Sequence, residues 1–305
     1  MQSNIVEMME TDFASPELSA AQFEKISQLV HQLCGINLQP GKKEELVKTR
    51  LIKRLRALRL SSFEEYLRYV RQDGTGQELS TMVDALTTNK TSFFREPQHF
   101  DYLREKILPE LRSGTRRIRF WSAGCSSGEE PYTIAMLLRD ELPKLSDCDV
   151  QILATDISTS MLRIARNAIY PKDTVTEVPP HLLAKHFTRF QARSQRVAQN
   201  GDHNAVSQVT ERGLGDTYQI KNEVRALVRL ARLNLIEPWP MRGPFDAIFC
   251  RNVMIYFEKP TQQQLVHRFC ELLEPGGHFF VGHSESLTGL THGFRYVCPA
   301  VYVKV

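Results

Sequence analysis

Residues 117–138 hold the densest set of chemically useful side chains. Arg117-Ile118-Arg119-Phe120-Trp121 alternates like a strand. It runs into Ser122-Ala123-Gly124-Cys125-Ser126-Ser127-Gly128, then into the helix-like Glu129-Glu130-Pro131-Tyr132-Thr133-Ile134-Ala135-Met136-Leu137-Leu138. Strand, glycine turn and helix in that order build a nucleotide cradle in an open α/β sheet. The spacing is G-x-x-x-G, not the G-x-G-x-x-G of dinucleotide sites. A pyrophosphate would meet Glu129 and Glu130 as like charges. A nucleoside with a cationic amine or sulfonium tail would meet them as partners, and S-adenosylmethionine is the common ligand of that kind. A second reading stays open: Ser126-x-x-Glu129 and Ser127-x-x-Glu130 fit capping boxes, and carboxylates favour a helix start without any ligand.

Three further strand ends carry polar groups where ligands of open α/β sheets bind. Asp156 follows Val150-Gln151-Ile152-Leu153-Ala154 and is placed to take ribose hydroxyls, or to cap the next helix. Asn234 follows Leu227–Leu233, where an amide can meet an adenine edge. Arg251 and Asn252 follow Phe245–Cys250. None of the nine histidines forms a nucleophile–base pair, and His283 is read as a packed group or as a support behind the site residues. The six cysteines are scattered without a C-x-x-C, which points to buried free thiols rather than a disulfide framework or zinc site; no metal is expected.

The elements that position these groups follow from periodicity. Apolar stripes predict a helix from near Leu18 to Gly35, a second carrying Leu46, Val47, Leu51, Leu55 and Leu58, a third capped by Ser61 or Ser62, and a fourth over 77–86. The first 85 residues or so therefore read as a small helical domain. After a turn-rich linker at 87–97 and a helix over 98–111, strands and helices alternate. That pattern predicts a mostly parallel sheet covered on both faces. Strands are expected at 278–282 and in a closing hairpin, with Pro275-Gly276-Gly277 ending the helix before them. Residues 191–222 are polar and rich in turn signals, and read as an inserted hairpin subdomain or loop within an insertion at about 180–225. Residues 1–15 read as a frayed tail.

With 305 residues, 42% hydrophobic and 24% charged, the chain has enough apolar material for a real core. Net charge is only +4, but residues 42–59 hold Lys42, Lys43, Lys48, Arg50, Lys53, Arg54, Arg56 and Arg59 against Glu44 and Glu45. That excess implies an acidic partner. The start lacks a basic segment followed by an apolar run, so no secretory leader is expected, and no stretch approaches the ~20 apolar residues of a membrane span. No long heptad run is present, and a cytoplasmic monomer is expected.

Five stretches carry a family resemblance: Thr88-Asn89-x-Thr91-x-Phe93-Phe94-Arg95-Glu96, Gly128-Glu129-Glu130-Pro131-Tyr132, Ala154-Thr155-Asp156-Ile157, Phe249-Cys250-Arg251-Asn252-Val253-Met254-Ile255-Tyr256-Phe257 and Gly282-His283-Ser284-Glu285-Ser286. Together they closely resemble the chemotaxis receptor glutamate O-methyltransferases, over about residues 15–300. The resemblance implies a Rossmann-like class I methyltransferase sheet (98–305) with an N-terminal all-helical docking domain (16–86) and a small inserted β subdomain. It implies methyl transfer from S-adenosylmethionine to glutamate carboxylates of chemoreceptors, leaving S-adenosylhomocysteine. It suggests Asn89, Thr91, Arg95, Glu129, Asp156, Asn234, Leu235, Arg251 and Asn252 for the cofactor, and Arg95 and Tyr256 nearest the methyl. Lys53, Arg54, Arg56 and Arg59 would face the receptor. Some members hold a receptor's C-terminal peptide on the β subdomain; the unusual length of 191–222 bears on that tether. A carboxylate is already an anion at neutral pH and needs no general base, in keeping with the lack of a histidine pair. Two rivals are a nucleic-acid methyltransferase, disfavoured by a short basic cluster without interleaved aromatics, and a non-catalytic S-adenosylmethionine-binding scaffold.

Overall fold

The computed structural model describes residues 16–38, 41, 43–112, 117–142, 148–191 and 215–305. The expected tail at 1–15 and most of the stretch at 191–222 lie outside the described residues. The chain divides into two units between Thr88 and Asn89.

The first unit is helical: α1 (Ala20–Cys34), α2 (Glu44–Leu58), α3 (Phe63–Gln72) and α4 (Gln77–Leu86). Ser19 and Gln22 form a reciprocal capping box on α1, and Gly35 closes it in the left-handed region at φ 71°. Ser62 caps α3 through the Glu65 N–H. Of the predicted stripes, Phe23, Ile26 and Val30 on α1, Val47, Leu51 and Leu55 on α2 and Leu67 on α3 are buried, as is Tyr66, while Leu29, Leu33, Leu46 and Leu58 are half-buried. Much of the basic cluster serves this unit. Arg50 Nη1 donates to the carbonyls of Ala85, Leu86 and Thr87 at 3.3, 3.1 and 2.6 Å, satisfying the end of α4. Arg54 meets buried Glu78 through Nε (3.0 Å) and Nη2 (2.6 Å), and the Tyr66 hydroxyl donates to the same carboxylate at 2.9 Å.

The second unit begins with α5 (Pro97–Tyr102), which continues through a π-helical turn, Leu103–Ile107, into α6 (Leu108–Arg112). Its seven-stranded sheet runs β6-β2-β1-β7-β8-β10-β9. The strands are β1 (Arg117–Ala123), β2 (Asp149–Asp156), β6 (Val228–Arg232), β7 (Phe245–Cys250), β8 (Leu273–Val281), β9 (Phe294–Cys298) and β10 (Val301–Lys304). The first five are parallel, and the closing hairpin is antiparallel. From β1 the chain moves outward to β2 and β6, then returns to fill the other side with β7 and β8. The crevice between β1 and β7 is thus the switch point where ligands of such sheets bind. Apolar side chains cover both faces: Phe249 stacks on Phe280 at 4.2 Å on one, and Trp121 meets Phe269 and Trp239 on the other.

Two expectations are corrected. Pro275-Gly276-Gly277 does not separate helix from strand. The helix Lys259–Leu272 ends earlier, and these residues lie within β8, where the register against β7 shifts between Phe245 and Ala247. The inserted sheet also recruits an earlier segment. Strands β3 (Ile169–Pro171), β4 (Phe187–Phe190) and β5 (Thr217–Ile220) pair antiparallel in the order β3-β5-β4, so the insertion is a three-stranded sheet rather than a hairpin.

Candidate active site at the strand ends

The glycine turn after β1 is held from below by β2. Gly124 and Cys125 donate their N–H groups to the Thr155 carbonyl at 2.8 and 2.9 Å, and Ser126 N–H donates to Asp156 Oδ2 at 2.8 Å. Asp156 Oδ1 accepts the Ser158 N–H at 2.8 Å, and Ser158 caps α8 (Thr159–Asn167). Gly124 sits at φ 85°, and a Cβ there would collide with a Val253 methyl. The turns after β1 and β7 therefore pack against each other, and only glycine allows it.

The capping boxes considered for α7 (Glu129–Glu141) do not form. Gly128 occupies the cap position without a side-chain hydrogen bond. Instead Ser127 Oγ donates to both oxygens of Glu129, at 2.9 and 2.7 Å, while Ser126 Oγ donates to the Asn89 carbonyl at 3.0 Å. Glu129 is only 3% exposed, and burial raises its carboxyl pKa, with the Ser127 hydroxyl pulling the other way. Among the described residues, no charged partner contributes to this shift.

Glu130 turns toward β7. Its Oε1 accepts the Ser122 hydroxyl at 2.6 Å, and its Oε2 pairs with Arg251 Nη1 at 3.0 Å. Arg251 Nη2 meets Glu96 Oε2 at 2.9 Å and also donates to the Arg95 carbonyl. Its guanidinium carbon lies 5.4 Å from the Phe100 ring centroid. With its side chain 2% exposed, Arg251 ties the linker, α7 and β7 together.

Asn252 holds the left-handed region at φ 59°, and its N–H donates to Glu285 Oε2 at 2.7 Å. The same carboxylate accepts from Val253 (3.0 Å), Ile255 (3.1 Å) and Gly282 (2.6 Å). Burial raises the Glu285 pKa against the pull of these four donors. Phe94, Glu96, Ser126 and Asn252, all non-glycine residues at positive φ, gather in this crevice. Such clustering of unfavourable backbone marks functional sites.

The remaining expected residues fall around this frame. Asn89 contributes its carbonyl to Ser126. Thr91 and Arg95 line a cavity of about 560 Å³ between the linker and the turn Asp173–Glu177. Arg95 Nη1 donates to the Lys90 carbonyl at 2.8 Å. Asn234, 4% exposed, donates to Glu237 Oε1 at 2.9 Å, and Leu235 next to it is buried. Tyr256 is half-buried on the 3-10 turn Met254–Tyr256. In the helical unit, Lys53, Arg56 and Arg59 are exposed, whereas Arg54 is committed to Glu78. The sequence reading gave no role to Glu96 or Glu285, and cast Glu130 as a ligand acid or a cap rather than as the partner of Arg251. Their common signal was an acid one to four residues from a strand end or linker turn, but their partners lie far along the chain.

Thiols do not enter this chemistry. Burial pushes Cys125 and Cys250 far up, so both are poor nucleophiles. All six cysteines are free, and Cys148, Cys270 and Cys298 are half-buried rather than buried as expected.

The crevice suits a cationic ligand: Glu96, Glu129, Glu130, Asp156 and Glu285 converge on it, with Arg251 as their one buried guanidinium among the described residues. Comparison with known proteins decides the assignment. The family described as "CheR methyltransferase, SAM binding domain" matches residues 89–204 and 202–303, and "CheR methyltransferase, all-alpha domain" matches 21–87. The chain belongs to the CheR methyltransferase family. The chemotaxis protein methyltransferase 2 of Pseudomonas aeruginosa is 40% identical over 281 residues, 92% of this chain and 91% of that protein. The chemotaxis protein methyltransferase of Borreliella burgdorferi is 37% identical over 290 residues, 93% of this chain and 94% of that protein. That of Escherichia coli is 39% identical over 286 residues, 93% of this chain and 91% of that protein. This CheR chain is an S-adenosylmethionine-dependent methyltransferase of chemotaxis. Among the described residues, no helix is long and apolar enough to cross a membrane.

Proposed function

We propose that the chain esterifies glutamate side chains of chemoreceptors, with the strand-end crevice holding the methyl donor and Arg95 and Tyr256 facing the acceptor. The carrying observation is the excess of buried carboxylates over cations at the tips of β1, β2, β7 and β8. S-adenosylmethionine, when bound, supplies an electrophilic methyl on a sulfonium. Glu129, next to the glycine turn, offers its carboxylate to the donor's ammonium tail. Asp156, which accepts the Ser126 and Ser158 N–H groups at the tip of β2, offers its carboxylate to ribose hydroxyls. Asn234 and Leu235, past β6, border the place of the base.

A receptor glutamate arrives as an anion, so the task is alignment, which can supply roughly 7–11 kcal/mol of barrier lowering. Arg95 presents N–H donors to that carboxylate, and the Tyr256 hydroxyl orients the transferring group. Arg251 acts at one remove: it fixes the linker that carries Arg95. The exposed Lys53, Arg56 and Arg59 present a basic face to acidic receptor helices. The chain works as a cytoplasmic monomer. Strand β4, an edge strand among the described residues and carrying the exposed Phe190, gives a receptor tail peptide a strand to pair with.

The test is base-labile transfer of labelled methyl to receptor membranes, with and without the receptor C-terminus, and with nucleic acid as a competing acceptor. Arg95→Ala should lose at least about a hundredfold in kcat/KM while keeping donor affinity within a few fold. Full transfer by that variant removes Arg95 from the chemistry. Stable label on RNA or DNA overturns the assignment.

A further inference from the structure

Glu96 has a second set of neighbours that methyl transfer does not use. His99, on α5, is 1% exposed, and neither ring nitrogen has a hydrogen-bond partner. A buried polar group left unpaired is costly and needs a reason. Its Nδ1 lies 3.5 Å from Glu96 Oε2. The Pro299 backbone carbonyl is close enough to act on the ring as a hydrogen-bond acceptor, in a geometry outside that of a regular hydrogen bond. His283, just past β8, stands edge-on to His99 with ring centroids 5.0 Å apart. One ligand atom from each of Glu96, His99 and His283 falls within 4.8 Å of the others.

These distances suit a metal better than a proton network. Bonds of about 2.0–2.2 Å in a tetrahedral shell put neighbouring ligand atoms about 3.4 Å apart. The Glu96–His99 pair is already at 3.5 Å. The exposed His283 is on the solvent side, where its ring can swing about 1 Å inward and leave a fourth position to water. Charge agrees with geometry. Arg251 is shared by Glu96 and Glu130, and Glu285 is buried beside them, so the pocket carries more negative than positive groups. A carboxylate has lone pairs enough for a guanidinium on one oxygen and a metal on another face. A nearby backbone carbonyl is also the usual orienting partner of a metal-bound imidazole.

We propose that Glu96, His99 and His283 form a site for a divalent transition metal of the zinc class, with water completing the shell. The bound ion would join the linker and α5 to the exit of β8, stiffening the segment that carries Arg95.

Chelator-treated full-length protein is titrated with zinc chloride by calorimetry and with cobalt by visible absorption. One saturable equivalent is expected, with a tetrahedral nitrogen/oxygen cobalt spectrum and a zinc-dependent rise in melting temperature. His283→Ala alters an exposed side chain and should keep the fold while weakening zinc at least about tenfold; His99→Gln should do the same. Absence of saturable binding overturns the site. So does unchanged affinity in both variants, or a thiolate charge-transfer band that assigns the metal to cysteines. Zinc binding tells nothing of methyl acceptors and can fail while receptor methylation stands.

Discussion

Two buried glutamates, one in each unit, are treated in opposite ways. Glu78 and Glu129 are 5% and 3% exposed. Glu78 is saturated, with two guanidinium bonds from Arg54 and a phenol from Tyr66. Glu129 receives one serine hydroxyl, and burial raises its pKa. The first acid is a structural clamp with its counter-charge built in. The second is left short of one, at the end of a parallel sheet where ligands bind, and under the proposed function the cationic donor supplies it. Saturation of a buried charge, more than burial itself, separates the scaffold acids of this molecule from its ligand acids.

The comparison is most severely tested at Arg251, the crevice's own counter-charge. Arg251→Ala leaves Glu96 and Glu130, whose side chains are 13% and 12% exposed, without their guanidinium and should cost about 3–5 kcal/mol in denaturant unfolding. A loss under about 1 kcal/mol would mean that the carboxylates are solvated. Arg54→Ala strands Glu78 in the same way. Because Arg54 is 27% exposed, water recovers part of the loss, and about 2–3 kcal/mol is expected from the helical unit. Glu129→Gln should behave in reverse. Loss of a charge-assisted contact should weaken S-adenosylmethionine by roughly 10- to 100-fold in calorimetry. The ligand-free protein should be as stable at pH 7 or more so. A carboxyl whose folded pKa is raised makes the folded state bind more protons between its unfolded and folded pKa, so stability falls as pH rises through that window, and glutamine removes that fall. A destabilised Glu129→Gln protein would place this acid with Glu78. The smallest effect on stability belongs to Lys53, Arg56 and Arg59. Reversing all three should change unfolding by no more than about 0.5 kcal/mol per site. Receptor affinity should drop, most at low salt, with donor affinity unchanged. Salt-independent methylation by that variant would remove the basic face from docking.

What the sequence made legible was local. Alternation located β1, β2, β6 and β7 to within two residues, and Ser62 and Ser158 could be read as caps because their partners lie three residues on. The polar strand ends, read one by one, are brought together by the fold at one edge of the sheet. Partnerships across long separations were hidden. The Arg54–Glu78 clamp looked like a free surface charge, since helical periodicity says where a side chain points and not whom it meets. Glu285, serving backbone groups some thirty residues earlier, left no local trace. Strand β3 spans three residues, too few to show a period, and appears only through its pairing with β5. His99 lies in the helix expected over 98–111, and the sequence reading gave it no role.

The four N–H groups gathered by Glu285 have a thermodynamic consequence for turnover. They join the segments after β7 and β8 into one stiff piece, so the conformational freedom of Asn252–Tyr256 is lost when the chain folds rather than at each encounter with a ligand. A receptor helix that docks only briefly then meets a reaction surface already in shape, and its dwell time is not consumed by loop ordering.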